Sequence, residues 1–369
     1  MLELLKDKKR IIIKIGSALL IESGQIRSAW LKSMVEDIKY LRQKLNLEII
    51  IVSSGSIALG KAYLNKAASK KLSLEEKQSA AAIGQISLMS SYQNYFAKHK
   101  INVAQILLTG SESSERSKYL NAKNTFNTLL KNNIIPIVNE NDTITTEEIK
   151  IGDNDRLAAR VAQMVDADML ILFSDVNGLY DKNPKIHKDA KFIPLISKIT
   201  KEIEGMAGGS VSLVGTGGMF TKIMAAKMAF NSNCDTIITS GVVNHPIKSA
   251  SQYTIFKAGY NKISSKKKWI IDCLNPKGEI TINQCAIEAL VKGSSLLPIG
   301  VEKISGDFSS GDVVIIKDTV NNHIASGAVS YSSIEAKLVI GKKTPEAKKI
   351  LGRKFKDELI NRDNLALIK

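Results

Sequence analysis

The chain has 369 residues, of which 44% are apolar and 24% charged, a balance that excludes wholesale disorder and leaves room for two or three domains. Three cysteines without a CxxC pair exclude a disulfide framework and predict a reducing, cytoplasmic setting, and no secretory or membrane-spanning segment is visible. The net charge of +16 rests on 44 Lys against only 8 Arg, which predicts a solvated lysine surface and not an arginine-rich nucleic-acid site.

In chain order, the first strand predicted is Ile11–Ile15, with Lys14 facing away from Ile11, Ile13 and Ile15. It runs into Gly16-Ser17, so a lysine and free backbone N–H groups meet at the carboxyl end of a strand, where ligands of open α/β sheets bind. Leu31, Met34, Val35, Ile38 and Leu41 then recur at helical spacing behind Ser28, the expected N-cap. The strand Glu48–Ser53 leads into SSGSIALG (Ser53–Gly60), where small residues admit a ligand to the backbone and a helix starts after Gly55. A helix over Glu75–Tyr92, a strand at Val103–Leu108 and a helix over Tyr119–Lys131 follow.

The strand Ile134–Val138 ends in NENDT (Asn139–Thr143), and GDND (Gly152–Asp155) opens the next helix, Asp155–Val165. Two clusters of Asn and Asp at element ends suit an ammonium group held by carboxylates and a carboxylate held by amides, or an aspartate-positioned metal. The strand Met169–Ser174 leads into FSDVNGLYDKNP (Phe173–Pro184), whose Gly-Leu-Tyr turn suits a nucleotide base. GTGGMFTK (Gly215–Lys222) combines a glycine-rich loop with a lysine at the start of the helix Phe220–Asn231, a phosphate cradle. It is neither a Walker P-loop nor GxGxxG, because no Gly precedes Lys222 and Phe220 stands at the third glycine position. A strand at Thr236–Thr239 closes this series of buried, nearly continuous apolar strands, as in a parallel sheet covered by helices on both faces. No HExxH, no G-x-S-x-G and no ligand spacing among the four histidines occur. After a linker at Tyr260–Pro276 the texture changes to short β-rich segments such as GEITI and GDVVIIKD, which predicts a small β domain or barrel.

Together KIGSALL, VSSGSIALG, LNAKNT, VNENDT, EIKIGDNDRLAA, SDVNGLY and GTGGMFTK resemble the amino acid kinase family, and NENDT with GDND resembles its glutamate-phosphorylating branch. The resemblance implies a mainly parallel α/β sheet between helices over residues 1–259, a linker over 260–276, and a small β-rich PUA domain with a C-terminal tail over 277–369. It implies Lys14, Lys222 and Asp155 as catalytic residues, the aspartate holding the two lysines. Ser54, Asp142 and Asn154 would bind L-glutamate. Lys14, Ser174, Asp175, Thr216, Gly217, Gly218, Met219, Phe220, Thr221 and Lys222 would bind ATP, with Mg²⁺ on its phosphates; protein ligands of the metal are not indicated. The expected product is L-glutamyl 5-phosphate, the first intermediate of proline biosynthesis. Feedback by proline around Gly110–Asn121 and Asp142–Asp153, a homo-oligomer, and coupling to glutamyl phosphate reductase are implied in the same way.

Two alternatives remain open at this stage. The same fold could phosphorylate aspartate, acetylglutamate, carbamate or a nucleoside monophosphate. An RNA-binding role through the C-terminal domain is disfavoured, because residues 277–353 hold 10 Lys and Arg against 8 Asp and Glu, only +2 of the total charge.

Overall fold

The computed structural model describes all residues except 65–71, 110–115, 145–153, 185, 207–217, 260–269, 271–275, 353–354 and 369. Two compact units result: the first comprises Met1–Thr109 and Ala122–Lys262, the second the remainder, chiefly Ile263–Lys369.

The first unit is organised by strands β1 (Arg10–Ile15), β2 (Glu48–Ser53), β3 (Val103–Leu108), β4 (Ile135–Glu140), β5 (Met169–Ser174), β6 (Leu195–Ile196), β7 (Asp235–Ser240) and β8 (Tyr253–Phe256). Their order in the sheet is β6-β8-β7-β5-β1-β2-β4-β3. Six of them, β7 to β3 in that order, are mutually parallel, and only the β7–β8 pair is antiparallel. The central strands are buried along their length because helices cover both faces, which is why β1, β2 and β5 read as unbroken aliphatic runs. Strand β1 lies between β2 and β5: the chain places β2, β3 and β4 on one side of β1 and then crosses back to β5 on the other. A crevice opens at the carboxyl ends of such strands.

Among the described residues up to Lys262, the longer helices are α1 (Ser28–Leu45), α2 (Ser56–Tyr63), α3 (Leu74–Ala97), α4 (Arg116–Lys131), α5 (Asn154–Met164) and α6 (Met219–Asn231). Trp30, Leu31, Met34, Val35, Ile38 and Leu41 of α1 pack into the core with Ile11, Ile13, Ile49 and Ile51. Ser28 does not cap α1. It is the first helical residue, its hydroxyl reaches back to the Ile26 carbonyl at 3.5 Å, and Arg27 holds the N-cap position without a side-chain bond. The N-terminus of α3 is better specified: Ser73 and Glu76 form a reciprocal capping box.

Helices α2 and α3 touch through glycine. A Cβ on Gly84 would lie 1.8 Å from the Ser56 carbonyl oxygen, and one on Gly60 would lie 1.8 Å from the Ala80 oxygen. The second unit contains a five-stranded sheet of β9 (Gly278–Ile282), β10 (Val301–Gly306), β11 (Val313–Lys317), β12 (His323–Ala328) and β13 (Leu365–Leu367), ordered β10-β9-β11-β12-β13. Its core gathers Ile280, Ile282, Leu290, Val314, Ile316 and Ile360. The linker expected at Tyr260–Pro276 lies almost wholly outside the described residues.

Candidate active site

At the carboxyl end of β1, Lys14 sends its ammonium to Asp155 Oδ1 at 2.5 Å. Lys222, in the first turn of α6, reaches Asp155 Oδ2 at 3.0 Å, and the Thr221 hydroxyl donates to the same oxygen at 2.9 Å. Asp155 has no exposure, and Lys14 and Lys222 are only 6% and 4% exposed, so water screens this triplet little. Burial alone would raise the Asp155 carboxyl, but Lys14 and then Lys222 outweigh it and hold it below the usual aspartate range.

Beside the triplet, side-chain amides link three element ends. Asn154, at the start of α5, donates through Nδ2 to Ser54 Oγ at 2.6 Å and to Asn139 Oδ1 at 3.0 Å. Asn139 on β4 donates through its own Nδ2 to Gln85 Oε1 at 2.9 Å and Ser56 Oγ at 3.2 Å. The Ser56 hydroxyl donates in turn to Asp142 Oδ2 at 3.4 Å. Asp142 is half-buried; burial pushes its carboxyl up, and the Ser56 hydrogen bond offsets this only in part. Gly55 makes the turn from β2 into α2 at φ +122°, a conformation that L side chains rarely adopt.

A cleft of about 440 Å³ is lined by Lys14, Ser54, Asp142, Asn154, Ser174, Asp175 and Lys222, among others. A second cleft of about 500 Å³ shares Ser174 and Asp175 and continues past Leu179, Tyr180, Pro184, Gly218 and Met219. Tyr180 there meets Phe192 edge-on at 5.4 Å. The two clefts meet at Ser174 and Asp175, at the carboxyl end of β5, and Lys14 and Lys222 line the first of them.

The structure thus brings Lys14, Ser54, Asp142, Asn154, Asp155, Ser174, Asp175 and Lys222 together. Gly218 and Met219 stand at the second cleft, Thr221 touches Asp155, and Phe220 is exposed and lines neither cleft. Thr216 and Gly217 lie outside the described residues, as do Gly152 and Asp153. Three residues had no assigned role from sequence: Asn139, Ser56 and Gln85. The first two stand inside NENDT and SSGSIALG, but Gln85 sits mid-helix with no local signal.

A model described as the amino acid kinase family matches residues 9–240, and one described as the PUA domain matches residues 278–351. The chain belongs to the amino acid kinase family. Among its relatives in that family, glutamate 5-kinase of Pelagibacter ubique is 48% identical over 365 residues, 98% of this chain and 99% of its own length. Glutamate 5-kinase of Paramagnetospirillum magneticum is 44% identical over 364 residues, 97% and 98% respectively. That of Nitrobacter hamburgensis is 44% identical over 368 residues, 98% and 97%. As a member of this family the chain has the α/β kinase fold described above, followed by a β-rich PUA domain. Among the described residues no helix is long and apolar enough to cross a membrane.

Proposed function

We propose that this amino acid kinase transfers the γ-phosphoryl group of ATP to the side-chain carboxylate of L-glutamate, forming L-glutamyl 5-phosphate and ADP. The observation that carries the reading is the near-complete coverage, at 44–48% identity, of chains named glutamate 5-kinase. The geometry supports it: a cleft with a carboxylate and polar amides at one end, and two lysines where the phosphoryl group would pass.

The acceptor carboxylate is ionised near neutral pH, so no general base is needed. A carboxylate oxygen forms the new bond to phosphorus as the bond to the ADP oxygen breaks. Protein then contributes positioning and electrostatics. In this reading Asp155 holds Lys14 and Lys222 apart on its two oxygens, so both ammoniums are already placed when charge develops on the transferred group. Asp142 takes the α-ammonium, while Ser54 and Asn154 hold the polar head. Ser174 and Asp175 join the acceptor cleft to the nucleotide cleft, where Gly178, Leu179 and Tyr180 form a wall.

Among the described residues no three His, Cys, Asp or Glu side chains are placed to hold a metal, and Asp155 is engaged by lysines. Mg²⁺ brought with ATP would be held by phosphate and water oxygens and would withdraw charge from them. The product is an acyl phosphate, prone to hydrolysis and cyclisation, which favours prompt consumption by a reductase. A homo-oligomer and feedback by proline belong to the same reading and are supported by the resemblance of the motifs.

Steady-state assays with glutamate, aspartate, N-acetylglutamate, carbamate and nucleoside monophosphates test the acceptor. ADP release that depends on glutamate is expected; turnover confined to another acceptor would displace glutamate while keeping the fold.

A further inference from the structure

Gln85 does not line the acceptor cleft, yet it ends the chain of amides that does. Its Oε1 accepts from Asn139 Nδ2 at 2.9 Å. Gln85 follows Gly84, where α3 comes so close to α2 that a Cβ would collide with the Ser56 oxygen.

An ionised Asp142 only accepts hydrogen bonds, so the Ser56 proton is committed to it. Ser56 Oγ must then accept from the Asn139 NH₂ group, and Gln85 Oε1 takes a hydrogen of the same group. Two acceptors therefore turn the Asn139 NH₂ toward α2 and α3 and its Oδ1 toward Asn154. That oxygen engages the Asn154 NH₂, which also bonds Ser54 Oγ. Two consequences reach the cleft. The Ser54 oxygen is already an acceptor, so its own proton is available to an anionic group. Asn154 Oδ1, buried and without a partner among the described residues, is left as an acceptor. A hydroxyl donor and an amide acceptor beside the Asp142 carboxylate match the charged head of a free amino acid.

We propose that Gln85 is a positioning residue that fixes the donor–acceptor polarity of the Asn139–Asn154–Ser54 relay and so sets affinity for a zwitterionic acceptor. Without its acceptor oxygen the Asn139 amide can turn over, and two NH₂ groups then face each other at Asn139 and Asn154. The inference rests on the proposed glutamate-kinase reading.

The test compares wild-type protein with Gln85→Leu and Gln85→Glu by steady-state kinetics, varying glutamate and ATP separately, with thermal melts as a folding control. Gln85→Leu is expected to raise the glutamate KM at least about tenfold and to leave the ATP KM within about twofold. Gln85→Glu keeps an acceptor at the same reach and is expected to restore the glutamate KM to within about threefold of wild type. Equal rises in both KM values, or a folded Gln85→Glu protein as impaired as Gln85→Leu, would overturn the proposal. If Gln85→Leu does not fold, Gln85→Met takes its place under the same criteria. Wild-type protein that ignores glutamate but phosphorylates another acceptor would instead overturn the underlying reading, before any variant is compared.

Discussion

At the scale of single residues, Asp155 carries two ammonium groups in a space that excludes water. Removing one partner of a buried ionic group leaves the others uncompensated, at a typical cost of about 3–5 kcal/mol. Asp155→Asn is therefore expected to lower stability by that order in chemical denaturation, and kcat by about 100-fold or more because neither lysine stays placed. Lys14→Ala is expected to lower kcat far more than it raises the glutamate KM; near-normal turnover in that variant contradicts its placement beside the transferred group. The two aspartates of the site respond to pH in opposite senses. Asp155 titrates below its ordinary 3.8 in the folded chain, so its stabilisation is present above the unfolded value and is lost only as pH falls through the lower folded value. Asp142 titrates above 3.8, so its ionisation in the folded chain opposes stability as pH rises from the unfolded to the folded value. Carbon-13 NMR of the side-chain carboxyls should find Asp142 titrating above the ordinary aspartate value without ligand, and shifting down when glutamate binds. An Asp142 pKa indifferent to glutamate would remove it from the ammonium site.

At the scale of elements, the α2–α3 contact sets the place of Ser56 and Gln85. Gly84→Ala drives a methyl group into the Ser56 carbonyl, at 1.8 Å from backbone that has no rotamer to relieve it. Overpacking of this kind costs about 2 kcal/mol or more, and the displaced turn should also raise the glutamate KM; denaturation and kinetics on the one variant check both. The central strands were legible because burial on both faces leaves an unbroken aliphatic signal: Glu48–Ser53 and Met169–Ser174 have the predicted bounds, and so does the half-buried edge strand Val103–Leu108. Strand β4 starts one residue later than predicted, at Ile135, and runs on into Glu140, so NENDT begins inside the strand and not after it. Short edge strands such as Leu195–Ile196 gave no periodic signal. Ser28 illustrates a local rule that failed, since its hydroxyl turned to the Ile26 carbonyl. The charged part of the site was legible as lysines and aspartates at strand and helix ends. The Gln85 contact was not, because it joins helix α3 to strand β4 across 54 residues of sequence and leaves no local pattern.

At the scale of the whole molecule, the Lys14–Asp155–Lys222 cluster lies within the first unit, and the charge of +16 is spread over a lysine-rich chain. The C-terminal segment 277–353 contributes only +2, from 10 basic and 8 acidic residues. RNA binding by the full chain is therefore expected to be weak, indifferent to RNA structure and progressively lost with added salt. Filter-binding titrations over a salt series check this, and tight binding that discriminates a folded RNA at physiological salt would contradict it. The central claim is acyl phosphate formation on glutamate. Its most direct test is incubation of the full chain with ATP, Mg²⁺, L-glutamate and hydroxylamine, which traps an acyl phosphate as the hydroxamate. Parallel reactions contain L-aspartate, N-acetylglutamate or no acceptor. The account predicts glutamyl hydroxamate with glutamate and none in the parallel reactions; hydroxamate from another acceptor and not from glutamate would contradict it.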